Sequence, residues 1–243
     1  EADDRYPMSE LQKTLRSRND VMIIPHIGGR HANLDYFDAG FTPFIEIASV
    51  HGVFEWFAHE ALRRGLPVGF VCSSDDHSGR PGATYPSGTD THFGMPGGLL
   101  GAYATELTRE ALWEAFWARR VYGTTGQRIV LRVSADGHPM GASFSTAGAP
   151  QIDVEVIGTA PIETLELLRG AEVIYSHPLV EPTPGERPLL KLVWEGARVQ
   201  WRSRPTKWDG SLTLDAGRIV SVETFAFDDP GDGITERSER TVR

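Results

Sequence analysis

Apolar and polar positions follow two regimes along this chain, and the change falls near residue 128. Before it, short apolar runs alternate with segments of helical period. VMIIPH (21–26), FIEIASVH (44–51) and PVGFVCSSDDH (67–77) predict strands that end in polar residues. In the third, Val68, Phe70 and Val71, with Gly69 and Cys72 between, read as a strand covered on both faces. Ser73 and Ser74 then open it to solvent. Helices are predicted over 9–17, with Ser9 as N-cap and Leu11 and Leu15 on one face; over 53–64, closed by Gly65; and over 108–120, from a capping Thr108 through Glu110 to Arg119 and Arg120 in the last turn. Strands alternating with helices predict a parallel sheet.

After residue 128 the helical period disappears. RIVLRVSAD, PQIDVEVIG, IETLELLRG, AEVIYSH, LLKLVWEG, ARVQWRS and GRIVSVETF give seven short strands. Turns are expected at Arg169-Gly170 and ahead of a strand at Asp209-Gly210. The expected fold is thus α/β over residues 1–128, followed by an antiparallel β-sandwich-like domain over 129–243.

Residues of metal-ligand type collect where the first strands end. His26 closes the first, Glu46 lies inside the second with His51 just after it, and Asp75 and His77 follow the third. Two residues apart on extended backbone, Asp75 and His77 would point the same way. Carboxylate plus neutral imidazole is a common shell for Zn, Mn or Fe. Asp76, between them, is placed to act as a general base or to orient a ligand. The Gly- and Pro-rich loop from Ser78 to Gly98 is expected to cover the site. It carries Arg80 and His92, and Arg80, like Arg30, has the planar guanidinium that grips a phosphate or carboxylate.

Composition narrows the partners. A net charge of −9 in 243 residues, without a Lys/Arg cluster, argues against nucleic acid. No apolar run is long enough to span a bilayer, and the first ten residues lack a signal-peptide pattern, so a soluble chain is expected with no compartment assigned. Cys72 is the single cysteine and is expected to be a buried core residue. The chain starts mid-pattern with Glu1, which suggests an excerpt of a longer polypeptide.

PHIGG, IEIASVHG and SSDDH together resemble the C-terminal half of the PHP superfamily, named for its polymerase and histidinol phosphatase members. The trailing β domain is similar to that of a branch of bacterial PHP-like proteins of unassigned function. The resemblance implies a distorted (β/α)7 barrel, here partial, and a cluster of two or three divalent ions, Zn, Mn or Fe, that hydrolyses phosphoesters. Asp75 and His77 match the family's closing Asp-x-His, and His26 a histidine ending an earlier strand. Glu46 and His51 lie on a strand where members of the family differ. The chain departs from the pattern in having no His-x-His: either the first strands lie upstream, or the site is degenerate.

The resulting expectation is a metal-dependent phosphoesterase with metal ligands His26, Glu46, His51, Asp75 and His77. Asp76 and Arg80 would be catalytic, and Arg30, Arg80 and His92 would hold a small phosphorylated substrate. Two alternatives stand beside it. An amidohydrolase-like enzyme would cleave a C–N or ester bond, but such sites use a lysine between the metals and residues 1–128 contain only Lys13. A non-catalytic module would use Trp194, Trp201 and Trp208 of the β domain to bind a glycan or a protein.

Overall fold

A computed structural model describes residues 8–26, 32–75, 97–180, 189–192, 208–224 and 233–243. The chain divides into two compact units, Glu1–Gly196 and Ala197–Arg243.

The centre of the first unit is a parallel pair. Strand β1 (Phe44–Ser49) turns back through β2 (Gly52–Val53), continues into helix α2 (Glu55–Arg63) and returns as β3 (Gly69–Cys72) beside β1. Successive β1 residues enter different clusters: Ile45 packs with Phe57 and Ala61 of α2 and with Leu34, whereas Phe44 packs with Val71 and Val121. Both faces of β1 are therefore covered, as a parallel strand requires. The register is Phe44↔Gly69, Ile45↔Phe70 and Glu46↔Val71, then Ala48↔Cys72, so Ile47 is the extra residue of a bulge.

Helix α2 ends as its sequence predicts. Gly65 takes φ +67°, the Gly65 N–H donates to the Leu62 carbonyl and the Leu66 N–H to that of Ala61, which together form a Schellman cap. Helix α1 (Met8–Leu15) differs from expectation, since Ser9 lies within it. Its inward contact is polar: buried Gln12 donates to the Tyr36 carbonyl at 2.7 Å, while Leu11 is exposed.

The segment 21–26 is extended without being a ladder strand. Among the described residues it is tied to its neighbours by Ile23 N–H to the Phe41 carbonyl and Glu46 N–H to the Pro25 carbonyl. Pro25 has no N–H to donate in return. Beyond the site, β4 (Leu99–Ala102), α3 (Arg109–Trp117) and β5 (Val121–Thr124) form a second strand–helix–strand unit, but β4 and β5 pair antiparallel. Thr108 caps α3 as expected by accepting from the Ala111 N–H. Arg119 and Arg120 fall past the helix end, and Arg119 takes φ +56° with its guanidinium donating to the Gly141 and Pro67 carbonyls. Strand β5 lies so close to β3 that a Cβ on Gly123 would sit 2.8 Å from the Cys72 nitrogen.

Four of the strand expectations after residue 128 are met by β6 (Val130–Ala135), β8 (Ile152–Ile157), β9 (Thr164–Arg169) and β10 (Glu172–Pro178); β7 (His138–Pro139) was not foreseen. These form small separate sheets, β7-β6-β8 and β10-β9, with Gly170 at φ +64° turning the second hairpin. In the second unit, β11 (Leu212–Thr213) pairs antiparallel with β12 (Thr241–Val242). Residues 189–192 and 217–224, expected as parts of strands, form none.

The expectation of a partial (β/α)7 barrel is therefore wrong. The described chain has three short helices and mostly small antiparallel sheets, with β1–β3 its one parallel pairing; in place of the seven-stranded sandwich-like domain expected after residue 128, the described strands there form separate sheets of two or three strands. Among the described residues no helix is long and apolar enough to cross a membrane.

Candidate metal centre

Three chain segments deliver side chains to the polar end of the β1–β3 pair. The 21–26 segment brings His26, which follows the Pro25 carbonyl bonded to Glu46 N–H. The β1–β2 hairpin brings His51. Its backbone N–H donates to Ser49 Oγ at 3.2 Å, and the preceding Val50 N–H donates to the Ser74 carbonyl at 3.1 Å, which ties the hairpin to the end of β3. Asp75 lies three residues past the end of β3.

Asp75 is the hub of the cluster. Its Oδ2 lies 3.2 Å from His26 Nε2 and 3.0 Å from His51 Nε2. The three ligand atoms all lie within 4.8 Å of one another. Donors on a tetrahedral ion with bonds near 2.1 Å stand about 3.4 Å apart, so these spacings and this donor set fit one divalent ion. The His51 side chain is 9% exposed and that of His26 37%, so the cluster opens to solvent on the His26 side.

Asp75 reaches this position in a way the sequence did not suggest. Its φ is +46°, in the left-handed region, not the extended backbone expected for an Asp-x-His strand end. Aspartate is one of the few side chains that enter this region readily.

Glu46 is brought to the site, but none of its oxygens is among the converging ligand atoms. It is buried on β1, and its two oxygens are engaged separately: Oε2 meets His26 Nδ1 and Oε1 accepts from Ser73 Oγ. Ser73 is the participant that sequence reasoning missed; its position one residue beyond β3 was the available signal. Asp76, His77, Arg80, Arg30 and His92 lie outside the described residues, as do Trp194 and Trp201. Trp208 is half exposed in the second unit. Lys13, on which the amidohydrolase alternative turned, is on α1 in an exposed ion pair with Glu10 at 2.6 Å.

Cys72 is buried beneath Gly123 and beside Glu46. Burial and then the Glu46 charge push its thiol up to about 11, from the usual 9.0. A pKa raised by folding contributes stability that is fully present below 9.0 and is lost as pH rises through 11. The urea midpoint of the wild-type chain is expected to fall more between these limits than that of Cys72→Ala. Parallel pH profiles would remove Cys72 as the source. Iodoacetamide at pH 8 is expected to leave the folded chain unmodified and to label it in urea.

The cluster so far defines a class, a surface-open site of two histidines and one carboxylate, and the comparisons with known proteins add relatives without an activity. A family described as "Protein of unknown function (DUF3604)" matches residues 83–147, downstream of all three cluster residues. An uncharacterised protein of Chlamydia pneumoniae is 36% identical over 124 residues, 48% of this chain and 19% of that protein. One of Chlamydia muridarum is 27% identical over 200 residues, 70% of this chain and 32% of its own length. One of Chlamydia trachomatis is 32% identical over 125 residues, 49% and 20%. The chain thus spans about a fifth to a third of the length of these curated relatives. No solved structure matches.

Proposed function

We propose that this chain carries part of the active site of a metal-dependent hydrolase, most simply a phosphoesterase, in which His26, His51 and Asp75 hold a divalent ion. The observation that supports the reading is the convergence of two imidazole Nε2 atoms on Asp75 Oδ2 at 3.2 and 3.0 Å, from three segments distant in sequence. The PHP resemblance supports it from the motifs, without the barrel.

A bound Zn, Mn or Fe would supply a hydroxide near neutral pH and offset charge on a phosphoryl oxygen. The chain's own residues supply the rest. His51, mostly shielded and fixed by the β1–β2 hairpin, sets one wall of the site. His26 forms the exposed wall, where a substrate would enter. Asp75 holds both rings and contributes the negative charge that favours a cation over an anion. The described donors suffice for one ion; the second or third ion of the family's cluster would take donors outside the described residues, where His77 lies.

The test is elemental analysis of the full-length protein together with assays on phosphomonoesters and phosphodiesters, before and after chelation. Stoichiometric metal, with hydrolysis lost on chelation and restored by Zn2+ or Mn2+, is the expected result. Metal-free protein, or hydrolysis indifferent to chelation, would sink the proposal.

A further inference from the structure

We infer that Glu46 is a positioning residue for His26 rather than a metal ligand. The inference rests on the metal reading above and deepens it. A carboxylate can only accept hydrogen bonds, so its contact through Oε2 with His26 Nδ1 assigns the imidazole proton to Nδ1. The other ring nitrogen, Nε2, then carries the lone pair, and it is Nε2 that faces Asp75 Oδ2 at 3.2 Å. Two electron-pair donors facing each other at that distance are held best by a cation placed between them.

The remaining contacts of Glu46 agree with this role. Ser73 Oγ donates to Oε1, so both carboxylate oxygens are engaged, and no Glu46 oxygen belongs to the group of three converging ligand atoms. Glu46 itself is anchored: it is buried, it lies in the β1–β3 ladder opposite Val71, and its backbone N–H donates to the Pro25 carbonyl, next to the residue whose ring it orients. Backbone and side chain of one residue thus fix both the position and the rotation of His26. Ser73 in turn fixes Glu46. Carboxylate–histidine pairs of this kind keep the ring in one tautomer and one orientation toward a metal.

The experiment uses the full chain, with Co2+ as the metal, in wild type, Glu46→Gln, Glu46→Ala and Asp75→Asn. Nitrogen-15 NMR of the metal-free protein reads the His26 tautomer, and titration read by the Co2+ visible spectrum reads affinity and ligand field. Wild type is expected to show His26 protonated on Nδ1. Glu46→Ala is expected to lose that preference and to weaken Co2+ binding about 10- to 100-fold while keeping the spectrum of the bound ion. Glu46→Gln is expected to recover most of the affinity, because its amide oxygen accepts from Nδ1–H and its NH2 donates to Ser73 Oγ.

A proton on Nε2 in wild type would overturn the inference, as would unchanged affinity in Glu46→Ala. So would an altered spectrum of the bound ion with affinity lost as far as in Asp75→Asn, which would make Glu46 a ligand. Failure of wild type to bind Co2+ at all would overturn the metal reading itself, and the tautomer would still decide the Glu46–His26 contact on its own.

Discussion

Asp75→Asn is expected to weaken binding of Zn2+ or Mn2+ by about 100-fold or more while leaving the fold nearly as stable as wild type. Asp75 Oδ2 is the atom that both histidine Nε2 atoms approach, and it supplies the charge that makes three donors a cation site. Asparagine is the informative replacement for two reasons. It has the same shape, so the surrounding packing is kept, and it tolerates the left-handed backbone that Asp75 adopts at φ +46°. A loss of binding in this variant therefore reports the missing charge and not a refolded loop. Calorimetric titration of both proteins, beside their urea midpoints, is the measurement. Equal metal affinity in the two would remove Asp75 from the site and dissolve the cluster.

Phe57→Ala is expected to cost about 3–5 kcal/mol of folding stability, the largest effect of any substitution considered for the first unit. Phe57 is 1% exposed on α2 and packs against Ile45, itself fully buried on β1. Truncation leaves a cavity between the helix and the central strand. Set against the 5–15 kcal/mol typical of whole domains, this is a large fraction. Equilibrium urea unfolding checks it; a change under about 1 kcal/mol would mean that the α2–β1 contact does not form the core.

Much of the cluster could be read from the sequence because its side chains sit beside strands whose apolar runs leave little choice. Phe44 to Ser49 is buried on both faces, Gly69 to Cys72 is buried at Val71 and Cys72, and the two pair parallel as that pattern demands. His26, His51 and Asp75 stand at or just past the ends of apolar runs and converge in space, although the run that ends at His26 forms no ladder strand. The barrel failed for a physical reason. A strand, a helix and another strand in sequence do not specify direction, and β4–α3–β5 closes antiparallel where β1–α2–β3 closes parallel. Beyond residue 128 the pattern reached less far, since period-2 alternation in β6, β8, β9 and β10 specifies strands but not how they pair into sheets. The left-handed turn at Asp75 and the division of Glu46 between His26 and Ser73 are set by tertiary contacts, and no local pattern announces them.

The bulge at Ile47 acts like a frameshift in the geometry of β1. Two residues are used there against one of β3, so an alternation counted from Phe44 is one step out of phase by the polar end of the strand. His51 stands two residues beyond the end of β1, in the turn to β2 that the Val50 N–H ties to the Ser74 carbonyl. A chain one residue shorter at Ile47 would keep every histidine, every carboxylate and the same apolar character, yet would draw that turn back along the strand, away from the end of β3 and from Asp75. The interval from Glu46 to His51 is in this sense a measured length, open to exchange of side chains and closed to their deletion.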